Sequence, residues 1–418
     1  MTPRRRRSSL ALAAVAALLV TGCGASEPEP VRDPYPVDGS LPVVDTSGMR
    51  LPTPFEELEV VDPGWDITPQ YADGVYLAAG EHDGVLEFTA VDVHGDVLWA
   101  AQRPASCTGF VVTTDAHGRT LAILGDLQTT ADALAATTAT AYDLTTGEQV
   151  WGPVEVPGPY QGPGLVFAAP PEGFMGETGP RVALDPTTGD VAADESSPER
   201  IRIIGEYHGI VLLTHEDALI ARDTADDHEL WRVPLAEHGW TAASISASLR
   251  PAPGDGLALI ATSETTGALL DLDQGSIVSS TARDAAVDPT TGTLVTLDDT
   301  GLHGYDTDDR PLWSLPVAAE TTIAAIGGVF LYLREDGAIR VHNVLTGDVA
   351  QAYEPDGQGP IIVPTHITIN GAALLLQERR HLVATIAESP LNESSPTSSP
   401  AGMGALGSHS RLEIPQGV

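Results

Sequence analysis

The stretch Tyr142-Asp143-Leu144-Thr145-Thr146-Gly147-Glu148-Gln149-Val150-Trp151 decides the fold, because degenerate copies of it recur along the chain. An apolar strand ends at Asp143, the chain turns through Thr-Thr-Gly, and a second strand then reaches a large aromatic residue. An Asp that opens a turn accepts hydrogen bonds from backbone N–H groups just after it, and Gly supplies the positive φ that closes the turn. Trp151 has a broad apolar face to bury and an N–H that needs an acceptor.

The copies are spaced like the blades of a propeller. Their turns open at Asp92, Asp143, Asp185, Asp223, Asp271, Asp306 and Asn343, in steps of 51, 42, 38, 48, 35 and 37 residues. Several of them close on a glycine, among these Gly147, Gly189 and Gly347. A period of this length, made of short strands, is typical of β-propellers.

Each repeat also has a short apolar strand ahead of its turn, which we interpret as the inner strand of a blade. There are eight such strands, and they begin at residues 74, 120, 164, 209, 256, 293, 328 and 372. The eighth unit continues into a third strand at 381–384, but no turn and aromatic strand follow it. Since an open sheet edge invites aggregation, the apolar segment 51–61 is the predicted donor of the missing strand. We therefore predict an all-β fold, an eight-bladed propeller over residues 51–388 closed by an N-terminal strand; seven blades is the alternative.

The pattern of Asp-x-x-Thr-Gly followed by a strand ending in Trp resembles the repeat of pyrroloquinoline-quinone-type propellers, also called tryptophan-docking propellers. The resemblance implies that the tryptophan packs against the neighbouring blade, a structural role that passes to Trp99, Trp151, Trp231 and Trp313. Units three, five and seven lack this tryptophan.

The same family includes quinone-dependent dehydrogenases, which typically carry adjacent cysteines and a calcium site. This chain has two cysteines, Cys23 and Cys107, and no adjacent pair. The acidic clusters at 271–275 and 306–309 do not continue into a calcium-binding loop with a Glu at its twelfth position, and Asx turns explain them better. We therefore predict no cofactor, no metal site and no catalytic residue.

Residues 1–22 have the pattern of a secretory signal peptide. Arg4 to Arg7 form a basic head, and the apolar run from Leu10 to Val20 is too short to span a bilayer. Val20-Thr21-Gly22-Cys23 resembles the bacterial lipoprotein box, which implies that Cys23 is lipidated and becomes the mature N-terminus. Residues 23–50, rich in Pro, Glu, Asp and Ser, predict a disordered tether, and residues 389–418 predict a disordered tail.

The composition argues against polyanionic partners. All 21 basic residues are Arg, and removal of residues 1–22 leaves 58 acidic residues against 17 Arg, a formal charge of −41. Nucleic acid and anionic lipid head groups would be repelled.

The function predicted from these patterns is that of a non-catalytic lipoprotein of the cell envelope. It would be a monomer held by its lipid, such as palmitate, on the extracytoplasmic face of the cell membrane, where the propeller binds an exported or envelope protein or a ligand. The alternative is an extracytoplasmic enzyme, either a quinoprotein-like oxidoreductase or a hydrolase or lyase with its site in the channel mouth.

Overall fold

The computed structural model describes residues 30–82, 84–107, 109–128, 136–170, 179–248, 250–254 and 256–387. The predicted signal peptide, Cys23 and the predicted tail lie outside these residues. The described chain consists of β-strands and two short 3₁₀ helices, Thr53–Phe55 and Leu235–His238. No helix in this part of the chain is long and apolar enough to cross a membrane.

The strands form eight antiparallel sheets, which are the eight blades predicted from the repeat count. The first strand, β1 (Val60–Trp65), belongs to the last blade. Blades 1 to 4 then follow in chain order, with strands β2 (Gln70–Ala72), β3 (Val75–His82), β4 (Val85–Asp92) and β5 (Val97–Pro104); β6 (Phe110–Thr114), β7 (Thr120–Gln128), β8 (Ala136–Asp143) and β9 (Gln149–Val156); β10 (Val166–Ala168), β11 (Arg181–Leu184) and β12 (Val191–Asp194); and β13 (Arg202–Tyr207), β14 (Ile210–His215), β15 (Ala218–Asp223) and β16 (Glu229–Pro234).

Blades 5 to 8 complete the ring. Their strands are β17 (Ser246–Ala247), β18 (Leu257–Ala261), β19 (Gly267–Asp271) and β20 (Ile277–Ser279); β21 (Asp284–Val287), β22 (Leu294–Asp298), β23 (Gly301–Tyr305) and β24 (Pro311–Leu315); β25 (Thr322–Gly327), β26 (Phe330–Glu335) and β27 (Ala338–Asn343); and β28 (Val363–Ile367), β29 (Ala373–Gln377) and β30 (Arg380–Ala384), with β1 as the fourth strand of blade 8. Blades 3 and 7 have three strands each among the described residues.

The strands that we interpreted as innermost are the second strands of their blades, except in blade 3, where the predicted strand overlaps β10, the first of the three described strands. In blade 1, for example, β3 is preceded by β2, and it is β2 that contacts the first strand of blade 2. First strands touch across neighbouring blades elsewhere as well, as β13 touches β17 and β25 touches β28. First strands therefore surround the axis, and the prediction missed them in part because some, such as Gln70–Ala72 and Ser246–Ala247, are only two or three residues long.

The ring is closed by β1, as predicted, although the closing strand lies further along than expected. It pairs antiparallel with β30, with Val60 opposite Ala384 and Val61 opposite Val383. Only these two residues belong to the predicted donor segment 51–61. Earlier residues of that segment form the 3₁₀ helix Thr53–Phe55, whose first turn contains Pro54, a residue that suits a helix start, and buried Phe55 joins the core beside blades 7 and 8.

Residues 30–50, which we call the strap, differ from the expected disordered tether. Their backbone runs along the outer strands of blades 1 and 8: Tyr35 exchanges two hydrogen bonds with Ala100 of β5, at 2.8 and 2.9 Å, and the Val44 N–H donates to the Val60 carbonyl of β1 at 2.8 Å. The strap ends at Arg50, whose N–H donates to the Pro360 carbonyl at 2.9 Å. A segment of polar composition is thus ordered by backbone pairing, together with the packing of Leu41, Val44 and Met49 against the core.

The apolar core lies between adjacent sheets. One cluster, for example, joins Val166 and Ala183 of blade 3 to Ile203 and Val211 of blade 4. Cys107 is buried and free, and burial raises the pKa of its thiol.

Candidate functional site

The predicted turn residues lie at the end of the third strand of a blade, or of the second described strand, β11, in blade 3, and they act locally. The Asp143 carboxylate accepts the N–H groups of Thr145 and Thr146 at 3.0 and 2.9 Å, together with both threonine hydroxyls. Burial opposes ionisation, but these hydrogen bonds prevail and lower the pKa of Asp143. Asp271 likewise accepts two N–H groups, from Asp273 and Gln274. The turn carboxylates hold the backbone of the turn, so their local role is structural.

The four tryptophans of the repeat lie on fourth strands, in blades 1, 2, 4 and 6. Each indole N–H donates to a backbone carbonyl in the turn of the next blade: Trp99 to Leu144 at 2.8 Å, Trp151 to Pro186 at 2.8 Å, Trp231 to Leu272 at 2.5 Å and Trp313 to Val344 at 2.7 Å. The ring also covers the glycine that closes that turn. A Cβ added at Gly189 would lie 2.6 Å from Cε3 of Trp151.

Wherever a tryptophan covers this closing position, the residue there is glycine. Gly147, Gly189, Gly275 and Gly347 each follow a blade that supplies a tryptophan. Blades 4 and 6 follow blades without one, and there Asp227 and Asp309 take the same backbone conformation at φ +58°. Asp tolerates positive φ better than most residues, so positive φ alone does not require glycine, whereas an indole over the turn leaves no room for a Cβ. The turn of blade 1 closes on Gly95 without an indole, and there an added Cβ would lie 2.9 Å from Cγ2 of Thr385.

The closing blade contains a tryptophan that the repeat pattern did not assign. Val61 lies where the other blades place their tryptophan, 3.6 Å from a Cβ added at Gly95 of blade 1. Trp65, four residues later on β1 and opposite His381, is 2% exposed and packs in the core shared by blades 8 and 1. Its N–H has no partner among the described residues. Its distance from an Asp-x-x-Thr-Gly turn explains why the pattern missed it.

A polar groove of about 480 Å³ lies between blades 5 and 6. Its floor contains Asp298, which accepts the Thr300 N–H at 2.7 Å and the Thr281 hydroxyl at 3.0 Å. Burial opposes ionisation here too, but the hydrogen bonds from Thr300, Thr281 and His303 lower the pKa of Asp298 to about 2. His303 lies 3.2 Å from Asp298 through Nε2 and 3.0 Å from the Ser314 hydroxyl through Nδ1.

This Ser314–His303–Asp298 chain has the residue types of a nucleophilic triad, but its surroundings suit a structural role. A triad serine acts on a substrate that lies beside its hydroxyl and beside oxyanion donors. Ser314 does not line the groove, and Asp298 is engaged in capping the turn between β22 and β23. These three residues lie on the second, third and fourth strands of blade 6, away from the axis where the enzyme alternative placed its site.

One group of potential metal ligands occurs among the described residues: Asp223, Asp226 and His228, whose ligand atoms lie within 4.8 Å of one another. The last two are exposed, and Asp223 accepts the Ala225 N–H as the turn residue of blade 4. A hydrogen bond and the charge of Asp226, 2.5 Å from Nδ1, raise the pKa of His228. The cluster is an exposed turn with an ion pair.

The outer edge of blade 7 is open. A segment after β27 begins to pair as a fourth strand: the Ala350 N–H donates to the Val341 carbonyl at 2.8 Å and the Asn343 N–H to the Asp348 carbonyl at 2.8 Å. It then departs, because the Ala352 carbonyl accepts the Thr53 N–H at 2.7 Å. A groove of about 390 Å³ separates β27 from residues 349–353.

Backbone groups of β27 face this groove. The Val341 carbonyl points outward to Ala350, so strand alternation turns the N–H and C=O of Ile339 outward as well. Among the described residues, no further ladder bond follows along this edge toward Ala338. Apolar side chains flank the edge, with Val349 78% exposed and Leu345 45% exposed.

Acidic side chains surround the open edge. Asp348, Glu354 and Asp356 are exposed, and within the described chain none of them takes part in an ion pair. Arg340, the basic residue on the groove wall, is already bound to Glu335 at 2.6 Å. The edge thus combines unpaired backbone, apolar surface and negative charge.

Comparison with known proteins identifies likenesses of architecture only. No protein-family description matches the sequence, and no curated protein matches it significantly. Among solved structures, BamB from Moraxella catarrhalis is 13% identical with a TM-score of 0.42, covering 78% of this chain and 97% of that one. The computationally designed protein Ika8 is 14% identical with a TM-score of 0.41, covering 83% and 100%. The β-propeller domain of Cps50 (Swd1) from Myceliophteria thermophila is 11% identical with a TM-score of 0.39, covering 78% and 99%. Likeness at this level implies no shared partner or activity.

Proposed function

We propose that this chain is a lipid-anchored, extracytoplasmic binding protein that docks an extended segment of an exported protein. Residues 1–22 direct export, and Cys23 carries the lipid. The propeller is a rigid, non-catalytic scaffold that acts as a monomer, and the open edge of blade 7 is its docking site. The partner segment is apolar on one face and carries Arg or Lys, since the edge is flanked by Asp348, Glu354 and Asp356.

The observation that supports this function is the unpaired outer edge of β27. An extended peptide gains main-chain hydrogen bonds by adding to such an edge, and neighbouring pockets select its side chains. Unpaired edges are a hazard for a soluble protein, and blades 1 and 8 have theirs covered by the strap. At blade 7 the covering segment turns away after Ala350, which leaves room for a short strand.

A peptide selection tests the docking site. Purified protein lacking residues 1–29 is used to select nine-residue peptides from a random library. We expect enrichment of peptides that alternate apolar residues with Arg or Lys, and at least a tenfold loss of affinity when Val349→Arg places a positive charge at the groove. Leu312→Arg is the matched control, because Leu312 is an exposed apolar residue on the outer strand of blade 6, whose sheet is complete.

The outcome against the docking site is equally specific. Equal binding by wild type, Val349→Arg and Leu312→Arg would place the peptides elsewhere. A selected peptide that keeps its affinity after N-methylation of alternate backbone amides would rule out strand addition, since that mode requires main-chain hydrogen bonds.

The lipid anchor has its own test, with the second cysteine as the control. In the native host, Cys23→Ala should move the protein from the membrane fraction to the soluble extracytoplasmic fraction, and Cys107→Ala should leave it at the membrane. Metabolic labelling with an alkyne fatty acid should mark Cys107→Ala and not Cys23→Ala. Retention of Cys23→Ala at the membrane would contradict lipid anchoring through this residue.

A further inference from the structure

We infer that the strap shortens the chain between the lipid and the propeller to residues 23–29, which we call the leash. The rim of blades 1 and 2 is therefore held toward the membrane, and the rim of blades 5 and 6 faces away from it. This inference rests on the proposed lipidation of Cys23. It concerns the orientation of the propeller, which neither the anchor nor the fold determines alone.

The strap is pinned to the rim from its first described residues onward. Val31 and Gln102 of β5 are joined by two hydrogen bonds, at 3.0 and 2.7 Å. Arg32 forms an ion pair with Asp126 of blade 2, and its carbonyl accepts a hydrogen bond from the buried guanidinium of Arg103. The start of the strap is therefore fixed to two blades at once.

Further contacts prevent the strap from peeling away. Tyr35 pairs with Ala100 through its backbone, and its hydroxyl donates to Glu87 at 2.9 Å while accepting the side-chain N–H of Gln102 at 3.3 Å. Burial, followed by the contact with Glu87, raises the pKa of Tyr35 to about 12, so the hydroxyl stays a donor throughout the physiological range. The strap is therefore held to the outer edge of blade 1 by both backbone and side-chain hydrogen bonds.

The pinned strap leaves little chain between the lipid and the propeller. Cys23 and Pro30 are seven residues apart, a separation that spans at most about 25 Å when fully extended. A free tether over residues 23–50 would instead reach about 90 Å. A domain of this size is about 50 Å across, so a leash half that long cannot bring every side of the disc to the bilayer.

The blades follow one another around the ring in chain order, so blades 5 and 6 lie opposite blades 1 and 2. The leash therefore keeps the rim near Val31 closest to the lipid head groups. The polar groove between blades 5 and 6 is then the most distant surface, and the open edge of blade 7 lies to one side, accessible to a partner in the extracytoplasmic space.

Energy transfer to labelled lipids tests this orientation. The full-length lipidated protein, in a Cys107→Ala background, is reconstituted into phosphatidylcholine vesicles that contain an acceptor dye on a fraction of the head groups. A donor dye is attached at Glu155→Cys on the exposed outer strand of blade 2, or at Val278→Cys on that of blade 5. We expect at least twofold more efficient transfer from the blade 2 position.

A leash variant provides the control. Insertion of thirty Gly and Ser residues after Ser26 lengthens the leash beyond the width of the disc, and should bring the two efficiencies together. Equal transfer from both positions on vesicle-bound protein without the insertion would overturn the orientation while leaving the anchor intact. Failure of the protein to associate with vesicles would instead refute the lipidation of Cys23 on which the inference rests.

Discussion

The contact between Trp151 and Gly189 makes a quantitative prediction about why glycine closes the turns. Gly189 has φ +78°, and a Cβ placed there would meet three atoms of the Trp151 ring at 2.6 to 3.0 Å. Gly189→Ala therefore carries two costs. The left-handed backbone costs about 1 to 2 kcal/mol for a residue with a Cβ, and forcing the ring away costs about 1 to 3 kcal/mol, so the free energy of unfolding should fall by about 2 to 5 kcal/mol.

The two costs separate when the ring is removed. Trp151→Ala alone should lower the free energy of unfolding by about 3 to 5 kcal/mol, because the side chain is 7% exposed and fills the space between blades 2 and 3. In that background Gly189→Ala should cost only the backbone term, about 1 to 2 kcal/mol. The double-mutant cycle should thus show a coupling of about 1 to 3 kcal/mol between the two sites.

The assay is equilibrium unfolding in guanidinium chloride of the protein that begins at residue 24, followed by fluorescence and circular dichroism. Gly118→Ala is the matched control: Gly118 has φ +80°, and an added Cβ would have nothing within 4 Å, so only the backbone cost applies. If Gly189→Ala costs the same with and without Trp151, or no more than Gly118→Ala, the indole does not impose the glycine and the argument fails.

Three further predictions concern pH and the strap. Burial raises the pKa of Glu206, which accepts two backbone N–H groups, to about 7, above the 4.5 of an exposed glutamate. The contribution of Glu206 to the free energy of unfolding is therefore greatest below pH 4.5 and declines as the pH rises to 7. Glu206→Gln should reduce this dependence of stability on pH in denaturation curves recorded from pH 5 to 8. The lowered pKa of Asp298 gives the opposite dependence of stability on pH, because its stabilisation is present above pH 3.8 and is lost toward pH 2. Asp298→Asn should therefore unfold more readily than wild type at pH 7, and the difference in the free energy of unfolding between the two proteins should shrink at pH 2. Tyr35→Ala should make the strap more susceptible to limited proteolysis, whereas Val37→Ala, at an exposed strap position, should not; equal cleavage of both variants would show that the Tyr35 contacts do not hold the strap.

The parts of the fold that could be predicted from sequence are those governed by local chemistry. An Asp that caps its own turn and a glycine with positive φ leave a signature within ten residues, and eight apolar strands, one in each blade, were enough to count eight blades. The need for a closing strand followed from the cost of an open edge. The first strands escaped because some are as short as Ser246–Ala247 and carry little apolar pattern.

Other features depend on contacts distant in sequence. The composition of the strap, polar and rich in proline, is typical of a linker. The strap nevertheless forms backbone hydrogen bonds with β5 and β1, and composition does not predict hydrogen bonds of this kind. The open edge of blade 7 arises because Thr53 draws the Ala352 carbonyl away from β27. No sequence pattern near residue 350 indicates that the Ala352 carbonyl will pair with a residue three hundred positions earlier in the chain.

The closing strand has a consequence for how the chain folds as it is made. β1 is among the first strands to be synthesised, but its partner β30 lies more than three hundred residues later, which at typical rates of synthesis is a wait of about 15 to 65 s. During that interval one edge of β1 would be exposed to other nascent chains. The strap offers an early partner, since Val44 pairs with Val60 only sixteen residues away. Local pairing can therefore shield one side of β1 until the last blade arrives to occupy the other.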